Sequence, residues 1–376
     1  MVLDPFVPRV ATAQDTRQQN LTAALQIVFR GSAPSRADIA RLTGLTRPTV
    51  SSLVAELIED GLVVELGTGT SAGGKPPTIL GIVPGARSIV TLDLSRQPLR
   101  GAVADLTGAL THHATHAGGP ALGAAAVDQL LDLVDELVVL APSPVIGVAI
   151  ATPGLVDTDG TVLEASNLGW HGLALADRVG EATGLPVFVA NDADAAAFAC
   201  IATAPDEDGR DVVALRIGQG VGAGVVLDGV LRHGAASAAG ELGHVVVDVE
   251  GAACACGNAG CLETVASVPA ILRAARGRSA TPEAALARAT ADAGEALARA
   301  LAPVVGLLDV ERIVLDCELE QGGADLAAAL GTELRRRLLP AVARRIRIDV
   351  AGQDDELVLT GVAAIALRAS MGVMWR

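Results

Sequence analysis

Aromatic side chains are scarce in this 376-residue sequence: tyrosine is absent, and four Phe and two Trp make up the 2% that remains. Proteins that hold single-stranded nucleic acid without sequence preference stack bases on aromatic platforms, so that class is excluded. Long apolar runs are missing too, and none reaches the roughly 18 residues that a membrane-crossing helix requires. The first fifteen residues carry an early Asp and two Pro and lack the apolar stretch of a secretory signal, so a cytoplasmic protein is expected. Lysine is reduced to Lys75, and 28 basic against 43 acidic residues give a net charge of −15. A field of that sign repels nucleic acid. What is plentiful is aliphatic: 51% hydrophobic residues, enough for a core of Ala, Val, Leu and Ile, and a length that suits two or three domains.

The acidity is unevenly spread. Residues 16–80 hold six basic groups (Arg17, Arg30, Arg36, Arg41, Arg47, Lys75) against five acidic ones (Asp38, Glu56, Glu59, Asp60, Glu65), a local net of +1 that leaves −16 elsewhere. After a tail over 1–16, residues 17–83 read as three helices and a hairpin. Leu21, Leu25 and Val28 form one apolar stripe. Ser35-Arg36-Ala37-Asp38 is a capping-box variant that opens a helix burying Ile39, Ala40 and Leu42, which stops at Gly44. Thr46 caps the next, with Val50, Leu53, Val54, Leu57 and Ile58 inward and Gly61 in the place of a left-handed cap. Helix, tight turn and helix make a helix-turn-helix. Strands over 62–66 and 78–83 then flank a Gly-rich tip carrying Lys75, which makes a wing. Arg47, Pro48, Thr49, Ser51 and Ser52 lie opposite the apolar stripe, at the end that enters a major groove. A plain packing module with a solvated face is the alternative. The charge reversal, the basic wing and the Ser/Thr/Arg-rich helix start together favour DNA binding, as a homodimer or homotetramer on a two-fold site.

Residues 87–376 change period. Strands are expected over 88–94, 100–106, 145–150, 188–190, 212–217, 222–227 and 312–315, with helices over 124–140 and around 192–202, 268–276 and 281–307. Such alternation is an α/β domain, and its length suits two lobes with a cleft, roughly 87–190 and 191–376. Cys254, Cys256 and Cys261 fall within eight positions, and nine residues separate Cys254 from Gly240-Glu241-Leu242-Gly243-His244. Three thiolates and an imidazole suit tetrahedral Zn2+ in a closed structural site. Cys200 and Cys317 stand alone.

That string, with Gly257, Gly260 and Glu263, resembles the signature of the ROK family of bacterial repressors and sugar kinases. Thr152-Pro153-Gly154-Leu155-Val156-Asp157, Ala165-Ser166-Asn167-Leu168-Gly169-Trp170 and Ala190-Asn191-Asp192-Ala193-Asp194 are similar to its conserved loops, and Gly73-Gly74-Lys75-Pro76 to the wing of its repressor branch. The resemblance implies two ribonuclease-H-like lobes of the actin/hexokinase kind. It also implies sugar contacts from Asn167, Asn191, Asp192, Glu241, His244 and Glu263. Carboxylates and amides match the donors and acceptors of a polyol, and His244 would put one ring nitrogen on zinc and one on the sugar.

In the family's kinases Asp192 would be the base. The resemblance also places three phosphate-binding turns. The first is Asp93-Leu94-Ser95-Arg96-Gln97-Pro98, without its Gly pair. The second, Gly218-Gln219-Gly220-Val221-Gly222-Ala223-Gly224, keeps its Gly residues and reads as a tight strand connection. The third is Asp316-Cys317-Glu318, two acids unfavourable beside a nucleotide. The expectation is therefore no enzyme, but a sugar-responsive repressor whose operator affinity changes when sugar binds the cleft, release being the commoner polarity in the family and the opposite an open alternative. An ATP-dependent sugar kinase with an added DNA-binding module is the alternative, and a repressor answering protein partners through an empty cleft is a third. His112, His113 and His116 read as a solvated turn, and Asp206-Glu207-Asp208 as a loop.

Overall fold

Thr12 starts the first helix. Its hydroxyl accepts from Asp15 N at 3.1 Å and its own N–H donates to the Asp15 carboxylate at 2.9 Å, a capping box that begins α1 (Ala13–Phe29). The helix therefore starts ahead of residue 17, and residues 12–16 belong to the module rather than to a tail. The computed structural model describes residues 12–31, 33–69, 76–96, 98–119, 121–203, 210–277, 281–319, 322–351 and 356–375. The expected loop over Asp206-Glu207-Asp208 lies outside them.

Ser35 caps α2 (Arg36–Thr43) by the same device, and Gly44, at φ 72°, ends it. Thr46 caps α3 (Arg47–Glu59), which buries Val50, Leu53, Val54 and Leu57. β1 (Val63–Thr68) and β2 (Thr78–Ile82) form the antiparallel wing. Ile39 is fully buried as expected, but Leu42 is 59% exposed. The short α2 meets α1 and α3 on the Ile39 side only, so Leu42 faces away.

The body holds two sheets of one topology. The first is built from β3 (Ser88–Asp93), β4 (Arg100–Asp105), β5 (Leu110–Thr115), β6 (Val145–Thr152), with α4 (Ala124–Leu140) before it, and β10 (Val187–Asn191). A small sheet of β7 (Leu155–Val156), β8 (Val162–Ala165) and β9 (Trp170–Leu173) and then α5 (Leu175–Thr183) precede β10. The order β10-β6-β3-β4-β5 pairs β3, β4 and β5 antiparallel and β3, β6 and β10 parallel. α6 (Asp192–Ala202) leads to the second sheet, β11 (Val212–Ile217), β12 (Val221–Leu227), β13 (Val230–Leu231), β14 (Arg312–Cys317) and β15 (Arg347–Val350). Its order, β13-β12-β11-β14-β15, again joins three antiparallel strands to two parallel ones. α7 (Glu263–Ala266), α8 (Val268–Arg276), α9 (Pro282–Leu308), α10 (Gly323–Arg337) and α11 (Pro340–Ala343) belong to this lobe. The α/β fold of paired ribonuclease-H-like lobes behind a winged helix is the one expected.

Two expectations change. His112 and His113 lie on β5, an edge strand, rather than in a turn; edge exposure explains their polarity, and His113 Nδ1 meets Glu356 at 2.9 Å. The last helix, α12 (Leu357–Met371), does not stay with the second lobe as a cut at 190/191 requires. It packs on β3, β6 and α6, because its buried face (Val358, Val362, Ala366) belongs to the cluster that also contains Leu25, Val28 and Val54 of the winged helix. No helix among the described residues is long and apolar enough to cross a membrane.

Candidate functional site

All six residues expected to contact sugar line one cleft between the lobes, with a cavity of about 270 Å3. Small-molecule sites run from roughly 300 to 1,000 Å3, and this space lies near the lower end of that range. Asn191 and Asp192 stand at the start of α6. The Asn191 side-chain oxygen accepts from Ala193 N at 2.8 Å and Asp194 N at 3.1 Å, while Nδ2 donates to Gly154 O at 2.8 Å. Asn191 is thus a helix cap that fixes the Gly154 turn, and its amide keeps one N–H for a ligand. Asn167 is exposed on the turn after β8. Gly240 sets Glu241: at φ 93° a Cβ there would stand 1.7 Å from Ala223 O, so only glycine lets this loop lie on β12. Burial raises the Glu241 carboxyl, and although His244 opposes it, Asp192 and Glu263 raise it further.

Sequence reasoning missed Arg216. Its side chain is 5% exposed, on a strand whose six residues are all buried. Nε donates to Asp192 Oδ2 at 2.7 Å, NH1 to Asp316, and NH2 to Ser95 Oγ at 2.6 Å and Glu318 Oε1 at 3.0 Å. Arg96 adds 3.2 Å to Glu318 and 3.7 Å to Asp316. Arg100 holds the fully buried Asp93 at 2.9 Å. Asp316 and Glu318 are therefore not bare acids, as the sequence suggested; two guanidinium groups offset them. Burial raises the Asp192 carboxyl above its usual range although Arg216 pulls against it, and the surrounding acids hold Arg216 firmly protonated against its own desolvation. A signal was available: an Arg inside the apolar strand Val212–Ile217 has to find buried partners. In the second Gly-rich run, Gly218–Gly220 joins β11 to β12, with Gly218 N donating to Gly220 O at 3.0 Å.

His244, Cys254, Cys256 and Cys261 bring their ligand atoms within 4.8 Å of one another. Two sulfurs each about 2.3 Å from one ion at a tetrahedral angle stand ~3.8 Å apart, and a sulfur and an imidazole nitrogen ~3.6 Å. Cys256 and Cys261 sulfurs are 3.7 Å apart, and Cys254 Sγ is 3.6 Å from His244 Nδ1. The cluster thus fits a metal ion. Nε2, the other ring nitrogen, faces Glu241 at 3.7 Å, on the cleft side. Cys200 and Cys317 are buried apart from the cluster, and burial pushes the Cys200 thiol up to about 12.

On the winged helix, Arg47, Pro48, Thr49, Ser51 and Ser52 are all exposed on one end of α3. Arg17, Arg36 and Arg41 are paired with Glu56, Glu65 and Asp38, whereas Arg47 has no ion pair among the described residues. Lys75, the expected wing contact, lies outside the described residues. Arg47→Ala is expected to weaken binding to a DNA fragment selected by the protein, and to lower the salt slope of log K by about one for a single lost phosphate contact. An unchanged slope in a salt titration would remove Arg47 from the interface.

Residues 90–369 match the ROK family model, and residues 19–70 that of the MarR family. The chain is 31% identical over 270 residues to the xylose repressor of Bacillus spizizenii, 70% of each chain. A solved ROK family transcriptional regulator, homologue of the E. coli MLC protein, superposes with a TM-score of 0.81 at 26% identity, over 95% of this chain and 98% of that one. A ROK family glucokinase from Streptomyces griseus, solved with glucose and AMPPNP, gives 0.66 at 25% identity over 75% and 99%. That match covers the body but falls short of the whole chain. In sequence and in fold, the chain belongs to the ROK family.

Proposed function

We propose that this protein is a sugar-responsive transcriptional repressor. The winged helix holds operator DNA through Arg47, Pro48, Thr49, Ser51, Ser52 and Lys75, as a dimer or tetramer on a two-fold site. The cleft binds one sugar through Asn167, Asn191, Asp192, Glu241, His244 and Glu263. Zn2+ on His244, Cys254, Cys256 and Cys261 holds the ring whose second nitrogen reaches the sugar. The protein acts in the cytoplasm and transfers no phosphate. One observation carries the reading: α12 packs on α6, whose first residues line the cleft, and its end grips the winged helix. Gln26 Nε2 donates to Met374 O at 2.7 Å and Gln26 Oε1 accepts from Met374 N at 2.8 Å, while Trp375 Nε1 donates to Leu106 O at 2.8 Å. A lobe movement at α6 is thereby transmitted to α1. Sugar shifts DNA affinity only to the extent that it prefers one of the two states.

Thermal unfolding of zinc-loaded protein with D-xylose, D-glucose and Mg-ATP tests this. A ligand at 100 times its dissociation constant adds about 2.7 kcal/mol, several degrees for a domain of this size. A shift with a sugar and none with ATP is expected. A shift with ATP and phosphate transfer to the sugar would make the chain a kinase. Glu241→Ala should abolish the sugar shift and leave DNA affinity intact; loss of both would mean that Glu241 holds the fold.

A further inference from the structure

Five carboxylates, Glu164, Asp192, Glu241, Glu263 and Glu318, line the cleft, and Arg216 is the one arginine or lysine that does so among the described residues. We propose that Arg216 sets the ligand class of this cleft: it holds Asp192 as an acceptor for ligand hydroxyls and, with Nε, NH1 and NH2 each turned to a carboxylate, offers its charge to Asp192, Asp316 and Glu318 rather than to an anionic ligand, so the cleft reads neutral sugars and rejects sugar phosphates and sugar acids. This rests on the sugar-sensor reading. Arginine presents five N–H donors in a rigid fork and stays charged. Here Nε, NH1 and NH2 are directed at Asp192, Asp316, Glu318 and Ser95. An ionised carboxylate only accepts hydrogen bonds, so the ligand atom facing Asp192 has to donate. A phosphate or carboxylate would meet like charge from both lobes, and desolvated like charges discriminate strongly.

The same fork ties the lobes. Ser95 follows β3 and Asp192 follows β10, both of the first sheet, whereas Arg216 is on β11 and Asp316 and Glu318 belong to or follow β14 of the second. Arg216 is a positioning residue: it acts through Asp192. The charged groups that bear on Asp192 are Arg216, Asp93 and Glu241. Without Arg216 the groups that bear directly on Asp192 are acids, while Arg100 and Arg96 stay engaged with Asp93 and Glu318, so sugar affinity should fall as pH drops through the range where Asp192 takes up a proton.

The test uses zinc-loaded full-length wild type, Arg216→Gln and Arg216→Lys, titrated calorimetrically with D-glucose, D-glucose 6-phosphate, D-xylose and D-xylonate between pH 5 and 8. In wild type one neutral sugar should bind at least tenfold tighter than its anionic counterpart. Arg216→Gln should bind that sugar at least tenfold more weakly, with a loss that deepens towards pH 5, and Arg216→Lys should recover part of it. Equal binding of the anionic counterpart overturns the ligand class. An Arg216→Gln variant with wild-type affinity and pH profile overturns the positioning role. If no sugar of either kind binds wild type, the sensor reading itself fails. The lobe tie is read without ligand, by hydrogen exchange over residues 94–96 and 316–319: faster exchange in Arg216→Gln supports it, and unchanged exchange overturns it.

Discussion

Cys261→Ser is expected to release the metal and to lower the melting temperature by about 10 °C or more. Cys261 is fully buried, between the cluster and the core residues Leu262 and Ala266. Structural zinc contributes roughly 10–16 kcal/mol of apparent folding free energy in zinc-finger peptides, where no other core exists. The second lobe has its own aliphatic cluster, including Leu297, Leu301 and Leu315, so only part of that figure applies. One third of it, at about 2–4 °C per kcal/mol for a domain of this size, still amounts to roughly 10 °C. Metal content by plasma mass spectrometry and melting by calorimetry are the measurements. A variant that keeps one equivalent of zinc and the wild-type melting temperature would sink the ligand assignment. Loss should also reach the cleft, because His244 Nδ1 faces the cluster and Nε2 faces Glu241. Chelated wild type should therefore lose sugar binding before it unfolds globally.

What could be read from the sequence was what local chemistry dictates. The capping residues Ser35 and Thr46, the left-handed glycine at 61 and the strand runs are decided within a few residues, and each stands where expected. The grouping of His244, Cys254, Cys256 and Cys261 was legible because such thiolate spacing has few other uses. Long-range pairing was not. Nothing near Leu357 says that α12 returns to the first sheet, and nothing near Val212 names the partners of Arg216, three of which lie about a hundred residues or more away. His112 and His113 were misplaced because a polar edge strand and a solvated turn have the same composition. The acids at 316 and 318 looked repulsive because charge was counted along the chain rather than in space.

Gly361→Ala should separate binding from response. A Cβ at Gly361 would stand 1.7 Å from Ala195 O of α6, so the two helices can touch backbone to backbone only where this side chain is absent. Even one methyl group must push α12 outward, and overpacking of this kind costs about 1–3 kcal/mol, at times more. A lower melting temperature by several degrees follows. The consequence for function is larger. α6 begins at Asp192 in the cleft, and the far end of α12 runs on to Met374 and Trp375, which hold Gln26 of α1 and Leu106, the residue after β4. With the α6–α12 contact loosened, Asn191, Asp192 and Glu241 remain in place to bind sugar. The ratio of DNA affinities without and with sugar should then fall towards one. Gly306→Ala, at a helical position with nothing within 4 Å of the new Cβ, is the control and should melt at or above the wild-type temperature. Calorimetry and DNA titrations with and without sugar decide the matter. A Gly361→Ala protein that responds to sugar as wild type does would mean that the signal reaches the winged helix by some route other than α12.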